Sequence, residues 1–86
     1  MNINELIEIV KKKLQSNFVI EDLIIEDKSF LHKNHTGHQE GKFHLKINIK
    51  SKELKKLNQI NSNKKIYKIL DKEMKDYIHS LQILIT

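Results

Sequence analysis

The sequence predicts a small α/β (α+β) domain in the order α-β-β-α-α-β. Three observations carry this: apolar residues at helical spacing near the start, two separate stretches of period-two alternation, and a lysine-rich helical tract between those stretches. Ile3, Leu6, Ile7, Val10 and Leu14 make the first helical stripe, with Asn2 as cap and Glu5 at the capping-box position, so this helix spans about Asn2 to Gln15. Phe18-Val19-Ile20 and then Leu23-Ile24-Ile25-Glu26-Asp27 form a short β-rich run that fits a first strand. A polar loop follows, roughly Lys28 to Lys42, holding both glycines, Gly37 and Gly41, with His32, His35 and His38. Loops of this length inside a compact domain are uncommon and often functional.

Phe43, Leu45, Ile47 and Ile49 alternate with His44, Lys46, Asn48 and Lys50, the mark of a strand with one buried face and His44 on its polar side. Ser51 is a good cap for a short helix carrying Leu54, Leu57 and Ile60. Asn61-Ser62-Asn63 punctuates the chain, and Ile66, Ile69, Leu70 and Met74, with Tyr77 beyond, give the stripe of one longer helix. Tyr67 and Tyr77 read as anchors at the edge of a core. From His79 to Ile85 the chain alternates again, with Leu81, Ile83 and Ile85 on one face and His79 in phase with them. A strand regained through helices lies parallel to the one it left, by a right-handed crossover, which gives a mixed three-stranded sheet with helices on one face.

Eighty-six residues, 38% hydrophobic and 31% charged, suit one globular domain covering residues 1–86. No apolar stretch approaches the roughly 20 residues needed to cross a bilayer, and the opening MNINELIEIVKKK lacks the layout of a signal peptide, so a cytoplasmic location is expected. The chain has no cysteine, which excludes disulfides, thiol nucleophiles and zinc-thiolate sites. Any metal must be held by nitrogen or oxygen, or by a partner's sulfur. Charge is uneven: residues 1–27 carry three lysines against six acids, and residues 28–86 carry thirteen lysines against five. The excess is entirely lysine, which neutralises phosphate as a point charge but lacks the fork that reads guanine bidentately.

Two constellations could carry chemistry. Five histidines fall at His32, His35, His38, His44 and His79, four of them within thirteen residues. Imidazole is a general nitrogen ligand for iron, zinc and copper, although His-Lys-Asn-His-Thr-Gly-His matches no standard zinc spacing, and loop histidines also serve as solvated or capping groups. The other constellation is the Lys50 to Lys68 tract, with seven lysines and one acid across a helix, a turn and a helix, offering Lys52, Lys55, Lys56, Lys64, Lys65 and Lys68 to a nucleic-acid backbone. A solvated surface accounts for the same charges. No glycine-rich phosphate loop, nucleophile elbow or framed acid pair is present, so an enzyme is not expected. Asp27, Ser29 and His32 lack the oxyanion and orienting partners that acyl transfer needs.

Taken together, IIEDKSFLHKNHTGH, FHLKINIKSKEL, KKIYKIL and IHSLQI resemble the BolA family over essentially the whole chain. Asp27, Ser29, His32, His35 and Gly37 match its first signature, followed by His44, Ser51, Ile66-Tyr67 and His79 with Leu81. The resemblance implies a fold similar to class II KH domains. It also implies a partnership with a monothiol glutaredoxin, sharing a [2Fe-2S] cluster with glutaredoxin and glutathione in iron-sulfur maturation or iron sensing, with apo-proteins as cluster acceptors. By the same likeness His79 matches the family's C-terminal histidine and is the leading ligand candidate, with His35, His38 and His44 competing for a second position. A cysteine-free chain joins such a cluster only in trans, because thiolates normally hold it and histidine replaces some of them. Family members are also described as DNA-binding transcriptional regulators. Two departures bear on that role: Ser62-Asn63-Lys64 stands where the family commonly has Arg-His-Arg, and the Gly-x-x-Gly loop of KH domains is absent, with Leu54-Lys55-Lys56-Leu57 nearby instead.

Overall fold

The computed structural model describes residues 1–29 and 42–86. Seven elements follow one another: α1 (Ile3–Asn17), β1 (Asp22–Asp27), β2 (Phe43–Lys50), α2 (Lys52–Lys55), α3 (Gln59–Ile69), α4 (Asp71–Asp76) and β3 (Ile78–Ile85). The sheet order is β1-β2-β3, antiparallel between β1 and β2 and parallel between β2 and β3. This is the mixed sheet expected from the alternation pattern, and the helices lie on one face.

Leu45, Ile47 and Ile49 of the central strand are buried, and their register partners Ile25 and Leu23 in β1 and Leu81, Ile83 and Ile85 in β3 complete that face. Against it pack Leu6, Val10 and Leu14 of α1, Leu54 of α2, and Ile66 and Leu70 at the end of α3. The opposite face carries His44, Lys46 and Asn48, with Ile24 and Leu84 opposite Asn48 and both about half exposed.

Polar groups fix how the chain enters and leaves this layer. The Asn2 side chain accepts from the Glu5 N–H at 2.8 Å and donates to the Glu5 carboxylate at 2.9 Å, as its cap position requires. Ser51 is fully buried and acts as a junction: its hydroxyl accepts from the Leu54 N–H and donates to the Val19 carbonyl, while its own N–H donates to the Thr86 carbonyl. Glu53 accepts from the Val19 N–H at 2.6 Å, so Phe18-Val19-Ile20 is a connection stapled to α2 rather than part of the first strand.

Three local expectations are corrected. Asn61-Ser62-Asn63 lies inside α3, because Asn58 caps that helix by accepting from the Asn61 N–H. Ser62 is tolerated in the interior since its hydroxyl donates to the Leu54 carbonyl at 2.8 Å, a second donor on an acceptor that also takes the Leu57 N–H. Ile60 is 67% exposed and Leu57 lies at the surface boundary, because α2 ends at Lys55 and does not carry a stripe that far. The single longer helix is two: Leu70, with φ −97° and ψ 17°, separates α3 from α4. That bend keeps Ile66, Leu70 and Ile78 in one core while turning Glu73 toward α1.

Glu73 is almost fully buried, and both its carboxylate oxygens accept from the Lys13 ammonium, at 2.8 and 2.7 Å. This pair fastens α4 to α1 across sixty positions of sequence. Breaking one partner leaves an uncompensated buried carboxylate, so Lys13→Met should cost about 1–3 kcal/mol in urea unfolding, and the double change Lys13→Met with Glu73→Leu should recover most of it.

Candidate functional site

The pairing of β2 with β3 is irregular at one place. Phe43 lies opposite Ile78, His44 opposite Ser80 and Leu45 opposite Leu81, so a single step along β2 spans two along β3, and His79 is the extra residue of a bulge. This corrects the expectation that His79 is in phase with Leu81, Ile83 and Ile85. Ile78 is buried and Leu81 packs on the same core, although three positions separate them; strict alternation cannot bury both, and the bulge absorbs the difference. His79 is left exposed beside the open face of the sheet.

Its ring lies edge-on to that of His44, with centroids 4.9 Å apart and planes at 63°. His44 stands on the face away from the helices, as its alternation required, yet it is only 5% exposed. The Ser80 hydroxyl is 2.6 Å from His44 Nδ1. The backbone of His44 is held as firmly: its N–H donates to the Ser29 hydroxyl at 3.0 Å and its carbonyl accepts from the Lys28 N–H at 2.7 Å. Ser29 is itself set by its N–H donating to the Asp27 carboxylate at 2.9 Å. Asp27 and Ser29 thus work as an Asx-type turn that ties the exit of β1 to the entry of β2.

Of the four ligand candidates, the structure brings His44 and His79 together. His35 and His38, with His32, fall in the segment between Ser29 and Lys42 and lie outside the described residues. Among the described residues, no group of three or more His, Asp or Glu side chains gathers as a metal site. Ser80 was not singled out from the sequence. The signal available for it was the Ile78 to Leu81 spacing, which demands a bulge and so places residue 80 opposite His44.

The six candidate lysines, Lys52, Lys55 and Lys56 on or just after α2 and Lys64, Lys65 and Lys68 on α3, are all exposed. Tyr67 is an edge anchor, donating its hydroxyl to the Leu81 carbonyl at 3.1 Å, and Tyr77 packs against the core. No helix among the described residues is long and apolar enough to cross a membrane.

A family model described as BolA-like protein matches residues 14–86. This chain belongs to the BolA-like family. It is 30% identical over 76 residues to the DNA-binding transcriptional regulator BolA of Haemophilus influenzae, covering 88% of this chain and 71% of that protein. Over 78 residues it is 28% identical to the chloroplastic protein BOLA1 of Arabidopsis thaliana, where 87% of this chain spans 49% of the relative. Among solved structures, BolA1 of Arabidopsis thaliana superposes with a TM-score of 0.76 at 26% identity, covering 91% of this chain and 86% of that one. The BolA domain of SufE1 from the same plant gives 0.79 at 23% identity, covering 100% and 93%, a likeness of fold. The BolA-like frame therefore sets the His44–His79 pair at the start of two parallel strands.

The contacts around this pair make separate claims on stability. Ser80→Ala should cost about 1 kcal/mol and shift the side-chain nitrogen resonances of His44 in NMR spectra. His79→Ala, at an exposed bulge, should leave the unfolding midpoint within about 0.5 kcal/mol of wild type.

Proposed function

We propose that this BolA-like chain is a non-enzymatic accessory protein that binds a monothiol glutaredoxin and shares a [2Fe-2S] cluster with it, serving iron-sulfur maturation or iron sensing. The observation that supports this reading most is His79, an exposed imidazole carried on a bulge and backed by a buried, hydrogen-bonded His44. The donor set fits a shared cluster: the chain offers imidazole nitrogen and no thiolate, so its part is to supply imidazole while glutaredoxin and glutathione supply thiolates. Replacing thiolate by imidazole raises a cluster's potential, as in Rieske centres. His79 is the ligand in this reading. His44, buried with Nδ1 at Ser80, suits the role of support, which leaves His35 or His38 for a second nitrogen.

Reconstitution with glutaredoxin, glutathione, iron and sulfide tests the proposal. A mixed complex with its own visible absorption and CD bands is expected, and His79→Ala should remove those bands while the fold persists. An unchanged spectrum takes His79 out of the site, and failure to form any mixed complex rejects the partnership.

A second reading is favoured by the Haemophilus influenzae relative, a DNA-binding transcriptional regulator, and by the exposed lysines of α2 and α3. On this reading the lysines contact phosphates and supply little base readout. Duplex DNA titrated at several salt concentrations should then bind with a steep salt dependence that flattens when Lys55, Lys56, Lys64 and Lys65 are changed to Glu. Binding indifferent to those changes rules this surface out.

A further inference from the structure

Among the described residues the outer edge of β3 is unpaired along part of its length, and its surroundings specify what it accepts. Among the described residues β3 has a strand neighbour on one side only, β2. The Thr86 N–H donates to the Ile49 carbonyl and the Thr86 carbonyl accepts from the Ser51 N–H, so residue 86 faces β2. In a parallel ladder alternate residues turn their N–H and C=O to opposite sides. By that parity Leu81, Ile83 and Ile85 face outward, and the Tyr67 hydroxyl on the Leu81 carbonyl confirms it. Tyr67 closes the edge at Leu81; Ile83 and Ile85 keep outward backbone donors and acceptors.

Beside those two residues runs a groove of about 290 Å³ of mixed character, in which Leu57, Ile83, Leu84 and Ile85 alternate with the polar Lys55, Gln59 and Asn63. An adjoining depression, sharing Lys55, is walled by Lys50, Lys52, Lys56 and Thr86. The combination is an open row of backbone groups, a part-polar trough for alternate side chains and a cluster of lysines at one end.

We propose that the β3 edge at Ile83 and Ile85 is a docking site for an extended acidic segment of a partner protein, which adds as a fourth strand. Backbone hydrogen bonds give the attachment, alternate small apolar or hydroxyl side chains lie in the trough against Leu57, and flanking carboxylates meet Lys55 and Lys56. Among the described residues no aromatic side chain lines the groove, so the stacking platform that a single-stranded nucleic acid uses is not found among them. The edge is a place distinct from the His44–His79 pair and does not depend on the cluster reading.

The test is NMR on the full ¹⁵N-labelled chain, titrated with a blocked peptide of alternating Val and Thr flanked by Glu. The Ile83 and Ile85 amides are expected to shift and to exchange more slowly with solvent. Lys55→Glu with Lys56→Glu should weaken binding roughly tenfold, in a salt-dependent way, and Leu57→Glu by a similar factor. N-methylating one alternate set of peptide amides should abolish binding while methylating the other set does not. Unchanged exchange at Ile83 and Ile85 under saturating peptide, or equal binding of both methylated peptides, overturns the proposal. It is overturned equally if oligothymidylate binds there more tightly than the peptide, or if concentration-dependent shifts at β1 and β3 without peptide show a second copy on the edge.

Discussion

The parallel pairing of β3 with β2 is the constraint from which most of the molecule follows. A parallel neighbour cannot be reached by a tight turn, so residues 51–77 must travel back along the sheet before β3 begins. That return path is the helical layer: it supplies Leu54, Ile66 and Leu70 to the core and leaves its lysines on the outside. It also brings the first residues of both strands side by side. His44 and His79, thirty-five positions apart, meet because two strands start at the same end of the sheet.

Short polar side chains do the joining that a chain with no proline and two glycines cannot leave to turn residues alone. Ser51 links the end of β2, the start of α2, the segment leaving α1 and the end of β3 through one hydroxyl and one N–H. Ser29 does a comparable task at the opposite end of β2, where it holds the backbone of His44. The central strand is thus anchored at both ends by serines, and His44 inherits its position from one of those anchors. Specificity of geometry is supplied by hydrogen bonds whose loss would leave buried partners unmet.

Much of this was legible in the sequence. Period-two alternation located β2 and most of β3, and cap chemistry placed Asn2 and Ser51 at the helix starts they occupy. Local rules failed where two local solutions compete: Asn58 and Asn61 are equally good caps by type, and only packing of Leu54 against Ser62 selects the first. The division at Leu70 has no proline or glycine to announce it, and it is decided by where α4 must lie to bring Glu73 to Lys13. A contact across sixty residues has no local signature. At the histidine pair the residue types were visible, whereas the phase of His79 was misread because one alternation was extended through a position that lies outside it.

That bulge has a consequence for how the protein can change. Ile78 inward, Ser80 outward and Leu81 inward is already a regular strand; His79 is a residue inserted into a ladder that is complete without it. Its side chain therefore lies outside the hydrophobic core, with the His44 ring beside it, and selection can act on its chemistry without renegotiating that core. An exchange at this one position leaves the inward set of β3 as it stands.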